Sequence, residues 1–364
     1  MEEKKPDLWL VAAILGILII GVVMVYSSSS IWSEYKFDDP WFYAKRQILF
    51  AAAGLIAMVV LSRIPYYVWH GHSKIIMIVC LVFLILVLIP GVGMVRGGAR
   101  SWIGVGMFSI QPSEFMKLGL ILFLARFLSE RQKLMNSFQQ GFLPALALIL
   151  VPFALIMLQP DLGTGVVMVG TCLVMLFTAG ARISHFMWIA GAGAAGMVGL
   201  IASAPYRIKR ITAFLHPWED PLGAGFQIIQ SLYAIGPGGL MGLGLGNSMQ
   251  KFFYLPEPQT DFIFAVLAEE LGFLGGLLVL GLFFILLWRG IRASLLAPDL
   301  FGSLLALGIV GMISIQVMIN ISVVTGLIPV TGITLPLISY GGSSLTLTLA
   351  SLGLLLSVSR FSTK

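Results

Sequence analysis

The chain reads as an all-α integral membrane protein, and three observations carry that reading. Hydrophobic residues make up 58% of it and charged residues only 10%, with a mean hydropathy of +0.98, a balance that water-soluble globules do not keep. Apolar runs near the roughly 20 residues that a bilayer requires recur along the sequence. Assigning the loops alternately puts more of the lysines and arginines on one side, which fits the positive-inside rule, although Arg207, Lys209 and Arg210 in the longest outward loop oppose it, as long loops can. The 364 residues are therefore expected to form one polytopic domain of ten transmembrane helices, with a long extracytoplasmic loop at 205–260 between spans 7 and 8.

The first span covers 8–26. Its apolar run is too long for a signal-peptide core, so it is read as an uncleaved helix with a cytoplasmic N-terminus. The following loop holds Trp32, Tyr35, Phe37, Trp41, Phe42 and Tyr43, an aromatic cluster suited to the headgroup zone and expected to lie on the membrane surface. Further spans are predicted at 47–62, 75–90, 112–128, 142–158, 163–180, 185–203, 261–288, 301–325 and 341–358. Assigning loops alternately places Arg63, Lys74, Arg126, Arg131, Lys133, Arg182, Arg289, Arg292 and Arg360 on the side of Lys4 and Lys5. Both termini are then cytoplasmic, in the cytoplasmic membrane. His70 and His72 fall in a short loop and read as solvated residues before a metal pair. Cys80 and Cys172 lie in apolar runs, so neither a disulfide framework nor a cysteine metal site is supported. The net charge of +6 comes without any basic block, which sets nucleic-acid binding aside.

Four outward segments stand out. Residues 91–111 are glycine-rich and contain Arg96, Arg100 and Trp102; they end at Gln111, with Pro112 suited to the first turn of the next span. That span carries Glu114 and Lys117 on one face, either as a self-neutralising ion pair or as a charged wall for a polar ligand. In the tight turn Gln159 to Thr164, Asp161 is suited to cap the following helix. The 205–260 loop begins with Arg207, Lys209 and Arg210, a cluster that a bound anion would explain. Its apolar, glycine-rich middle suits an amphipathic or re-entrant element. The segment 325–344, which contains Ser339, mixes Gly, Pro and Thr at membrane depth, where irregular backbone must be shielded or line a water-filled space. Gly272 and Gly276 are read as a small-residue face for helix packing.

The stretch KFFYLPEPQTDFIFAVLAEE, residues 251–270, ties these parts together. Pro256 and Pro258 cannot continue a helix and Thr260 can cap one, so Asp261 is expected in the first helical turn. Glu269 and Glu270 then lie roughly 12 to 14 Å deeper, on different faces. Ionisable groups inside a bilayer cost about 3 kcal/mol or more and read as functional by default. A carboxylate at an outward mouth, with cations nearby and apolar walls, suits group transfer on an amphiphile with an anionic headgroup. The carboxylate takes a proton from an attacking hydroxyl and the cations stabilise a departing phosphate or pyrophosphate. The competing reading of Asp261 is a helix cap, favoured by the helix dipole.

At these motifs the chain resembles the SEDS family (shape, elongation, division and sporulation). The stretches that carry the resemblance are SWIGVGMFSIQPSEFMK, QPDLGT, APYRIKRI, HPWEDPLGAGFQIIQS, YAIGPGGLMGLGLG, FFYLPEPQTDFIFAVLAEELG and GLIPVTGITLPLISYGGSS. They occur in family order over nearly the whole chain without departure, nearest to the sporulation branch with the division branch close behind. The resemblance implies a peptidoglycan glycosyltransferase that polymerises lipid II outside the cytoplasmic membrane and works with a class B penicillin-binding protein in division or sporulation machinery. It implies that Asp261 is the essential aspartate, that Glu114 and Lys117 are the family's fourth-span pair, and that Arg207, Lys209 and Arg210 are its basic loop residues. Arg100 and Gln111 are counted with the substrate-binding set, and Asp161, Glu269, Glu270 and Ser339 with residues that shape the cavity. No cofactor is required by this reading, and assistance from a divalent cation is left open. A lipid-linked precursor flippase and a non-catalytic scaffold are the rival classes, although the lack of an internal repeat weighs against a transporter.

Overall fold

The computed structural model describes residues 6–96, 99–105, 108–202, 214–223 and 225–362. Its helices are α1 (Leu8–Phe37), α2 (Phe42–Arg63), α3 (Val68–Leu86), α4 (Pro112–Glu130), α5 (Leu143–Met157), α6 (Leu162–Thr178), α7 (Ile183–Ala202), the short α8 (Phe226–Ile235), α9 (Ile263–Leu295), α10 (Leu300–Val324) and α11 (Gly342–Phe361). Among the described residues, seven are long and apolar enough to cross a membrane: α1, α2, α3, α5 with its preceding π-turn, α9, α10 and α11. The shorter α6 is also apolar, and α4 carries Glu114, Lys117, Arg126 and Glu130.

α10 and α11 are the most enclosed of the candidate spans. Small residues let their neighbours close in. Gly54 of α2 lies under Leu349 of α11, and Gly353 of α11 lies against the Met58 backbone of α2, the close approach that drives helix association where no hydrophobic force operates between helices.

The expectation of a purely helical chain gives way at 94–110. There β1 (Met94–Arg96), β2 (Ala99–Val105) and β3 (Phe108–Ile110) form an antiparallel sheet in the order β1-β2-β3. Glycines and serines between Val, Trp, Ile and Phe favour short paired strands over a helix. The expected surface segment after residue 26 is also corrected. α1 continues to Phe37, with Ser27, Ser28, Ser29 and Ser33 buried. The Ser29 hydroxyl donates to the Val25 carbonyl at 2.6 Å, so this serine is satisfied inside its own helix. Trp41 folds back to stack on Tyr26 with ring centroids 4.0 Å apart. His70 and His72 lie in the first turns of α3 and not in a loop.

The two ends of the helices differ in chemistry. At one end Arg289 pairs with Asp7, the Tyr66 hydroxyl donates to Asp299 at 2.6 Å, and Arg360 donates to the Ser62 carbonyl at 2.7 Å. A hollow of about 400 Å³ opens there, lined by Tyr67, His70, Ser129, Asp299, Leu300 and Phe301. The opposite end holds Asp261, the sheet and the irregular segments.

Candidate active site

Asp261 stands one step ahead of its helix. α9 begins at Ile263 with Phe262 as its cap residue, so the expected cap at Thr260 is not made. The Thr260 hydroxyl instead donates to the Glu257 carbonyl at 2.9 Å, within the turns that follow Pro256 and Pro258. The stretch is fixed by its main chain. Asn320 of α10 donates one amide hydrogen to the Asp261 carbonyl at 2.8 Å and the other to the Ile333 carbonyl at 2.7 Å. The Ser339 hydroxyl donates to the Thr260 carbonyl at 2.7 Å and accepts from the Leu335 amide at 2.8 Å. The Tyr340 amide donates to the Gln259 carbonyl at 2.8 Å, and Gln47 of α2 donates to the Ser339 carbonyl at 3.2 Å.

The carboxylate itself is held differently. Among the described residues no group donates a hydrogen bond to it, and it is partly exposed. Gly332, with a φ of +74°, borders it: a Cβ there would stand 3.8 Å from Asp261 Oδ2, an ordinary van der Waals contact. Burial, with a smaller contribution from the charge of Glu257, pushes the Asp261 pKa up to about 6. A carboxylate at that value is ionised near neutrality and is more basic than an ordinary one, as a general base requires.

A second group borders the same strip. Gln111 donates to Asp161 Oδ2 at 2.9 Å and Ser113 does so at 3.4 Å, while Asp161 Oδ1 accepts from the Thr164 amide at 3.1 Å. Asp161 therefore caps α6 and also ties it to the start of α4. One turn along α4, Lys117 and Glu114 form a buried ion pair at 2.8 Å. Gly163 of α6 packs against the Thr331 carbonyl and Ile333, so the first turn of α6 and the loop of Asp261 flank residues 331–333 from two sides. Arg100 lies on β2 opposite Val95. Arg207, Lys209 and Arg210 fall outside the described residues.

Glu269 and Glu270 are fully engaged elsewhere. Ser27 of α1 donates to both Glu270 oxygens at 2.7 and 2.6 Å, and Lys251 pairs with Glu270 Oε1 at 3.3 Å. Ser248 Oγ donates to Glu269 Oε2 at 2.5 Å, and the Met249 amide donates to Oε1 at 2.8 Å. Just beyond them α9 is broken at Gly272, where φ is +67° and ψ is −165°. The reading of Gly272 and Gly276 as a helix-packing face is thereby corrected. Gly272 meets the backbone of Leu240, Met241 and Gly242, and only a residue without Cβ fits that conformation and that contact.

Two residues that matter were not assigned from the sequence, Asn320 and Lys251. Each carries a visible signal, since a lone polar side chain in or beside an apolar span must find a partner. Among the described residues, no three His, Cys, Asp or Glu side chains gather as metal ligands.

The family model for cell cycle proteins of the FtsW, RodA and SpoVE type matches residues 8–364. The chain belongs to the FtsW/RodA/SpoVE family. This is the SEDS family whose motifs the sequence resembles. Within it, the chain is 66% identical over 361 residues to Stage V sporulation protein E of Bacillus subtilis, covering 99% of each. It is 43% identical over 358 residues to the "Probable peptidoglycan glycosyltransferase FtsW" of Geobacter metallireducens, covering 98% of this chain and 96% of that one. Among solved structures of the family, RodA of Thermus thermophilus superposes with a TM-score of 0.72 at 32% identity, covering 99% of this chain and 98% of that one. A chain of a structure described as "Structural coordination of polymerization and crosslinking by a peptidoglycan synthase complex" reaches 0.83 at 35% identity, with 98% of each covered. With its apolar helices, this family member is a multi-pass membrane protein.

Proposed function

We propose that the chain is a peptidoglycan glycosyltransferase that polymerises lipid II into β-1,4 glycan strands at the outer face of the cytoplasmic membrane, for division or spore-cortex synthesis. It does so as a single polytopic domain with ten spans and both termini in the cytoplasm. The observation that carries the reading is Asp261, a carboxylate with a rigid main chain, a raised pKa and no described hydrogen-bond donor. Relatives named as probable peptidoglycan glycosyltransferases support the reaction class, and the synthase complex supports a cross-linking partner, a class B penicillin-binding protein.

In this scheme Asp261 removes the proton from the 4-hydroxyl of the acceptor sugar as that oxygen attacks the anomeric carbon of the donor. Undecaprenyl pyrophosphate leaves from the opposite side, and the anomeric centre inverts. A single base on the attacking side is sufficient, with no covalent intermediate. Arg100, Arg207, Lys209 and Arg210 supply positive charge to the departing pyrophosphate. Gln111 and the Glu114–Lys117 pair present a polar wall whose charges already neutralise each other. Asp161, Glu269, Glu270 and Ser339 hold backbone and helices around the cavity.

The test is purified protein given lipid II, with Asp261→Asn beside the parent. Strands from the parent and none from the variant support the enzyme. Turnover by Asp261→Asn removes the base. Translocation without polymer replaces the enzyme with a flippase, and neither activity leaves a scaffold. Chelation in the same assay reads whether a divalent cation assists.

A further inference from the structure

Asn320 is fully buried in α10, a span that is otherwise apolar enough to cross a bilayer. Its amide hydrogens go to two carbonyls from different parts of the chain, Asp261 O at 2.8 Å and Ile333 O at 2.7 Å. Neither carbonyl belongs to a regular helix. Burying a carboxamide among apolar side chains is costly unless it is hydrogen-bonded; here the oxygen has no partner among the described residues, while both hydrogens are spent on the segments that flank the Asp261 carboxylate. Gly332, next to Ile333, borders the carboxylate, a Cβ there standing 3.8 Å from Asp261 Oδ2.

We propose that Asn320 is a positioning residue for glycosyl transfer, a two-pronged clamp that sets the Asp261 carboxylate at a fixed distance from the 331–333 strip. The inference rests on Asp261 being the base. Without the clamp the two carbonyls separate, the strip moves off the carboxylate, and water enters between them. The groups that face Asp261 are few among the described residues. Glu257 comes from its own loop, Asn320 from α10, Gly332 and Ser339 from the 331–340 segment with Tyr340 as its titratable side chain, and Asp161 stands beyond Gly163 of α6.

The experiment measures lipid II polymerisation by the full-length Asn320→Ala protein from pH 5 to 8. A positioning role predicts a fall in kcat of about tenfold or more with KM changed less than about twofold, because substrate contacts are intact while near-attack geometry is lost. It also predicts an acid limb displaced below the parent's, toward that of a hydrated carboxylate. A parent-like rate, or a reduced rate with an unmoved acid limb, overturns the proposal, since a purely structural role lowers the yield of active protein without touching the profile. Asn320→Ser, which keeps one donor in a smaller side chain, is read by the same criteria if Asn320→Ala does not fold. Asp261→Asn run alongside separates the two failures. If it turns over, the base assignment falls; if it is inactive while Asn320→Ala behaves as the parent, only the clamp falls.

Discussion

Asp261 and the Glu269–Glu270 pair lie within ten residues of one another on the same stretch, and the structure treats them in opposite ways. The glutamates are 1% and 0% exposed, and their oxygens accept from two serine hydroxyls, two backbone amides and a lysine. The aspartate has its carbonyl clamped, while no described group donates to its carboxylate. A carboxylate whose two oxygens both accept from the protein holds a structure together; one with no described donor on either oxygen can take a proton. Depth in the membrane alone does not separate these two roles. Partner counting does.

The sharpest way to break this contrast is Asp261→Asn, which keeps the shape and removes the basicity. A loss of about 10²- to 10⁴-fold in polymerisation is expected, the usual span for a positioned base, with the unfolding temperature at neutral pH unchanged or raised, because the neutral amide escapes the cost of a buried charge. The parent's own pH profile belongs to the same test. Because the Asp261 pKa is raised to about 6, activity rises as pH increases through about 6. The stability linkage runs the other way: the folded state holds this proton more tightly than the unfolded chain, so that contribution is present below pH 3.8 and is lost as pH climbs toward 6.

Glu270→Gln attacks the opposite member. It leaves the Lys251 ammonium buried without its counter-charge, which is expected to cost about 3–5 kcal/mol of stability, read by thermal unfolding in detergent, with activity falling only as the folded fraction falls. Gly272→Ala is expected to cost about 1–3 kcal/mol for the backbone conformation alone, seen as a lower unfolding temperature. The smallest effect belongs to Thr260→Ala. Since Thr260 does not cap α9, the change should stay within about 0.5 kcal/mol, where a lost cap would cost about 1 kcal/mol.

Much of this arrangement is legible in the residues. The helix start after Asp261 was expected at 261 and is found at Ile263, and the following span, expected at 301–325, is Leu300–Val324. Such boundaries follow from proline, charge and apolar run length, all of them local. The continuation of α1 past residue 26 is not legible, because serines look like loop residues until a hydroxyl such as that of Ser29 turns to its own helix carbonyl. The sheet at 94–110 depends on pairing between short strands, which a glycine-rich run does not announce. Asn320 reaches a carbonyl 59 residues away, and Ser27 reaches a carboxylate 243 residues away. Such partners are set by packing and cannot be read along the chain.

The break at Gly272 has one more consequence. The carbonyls of Glu269 and Glu270, released there from helical bonding, accept from the amides of Leu243 and Gly244 at 3.0 and 2.9 Å, and the amides of Phe273 and Leu274 reach the carbonyls of Gly239 and Leu240. Surface connections rich in glycine are ordinarily where a protein gains or loses residues most freely. This one completes the peptide bonding of a span, so its length is as constrained as a rung in a ladder. A single inserted or deleted residue between 239 and 244 would put four unpaired peptide groups against hydrocarbon.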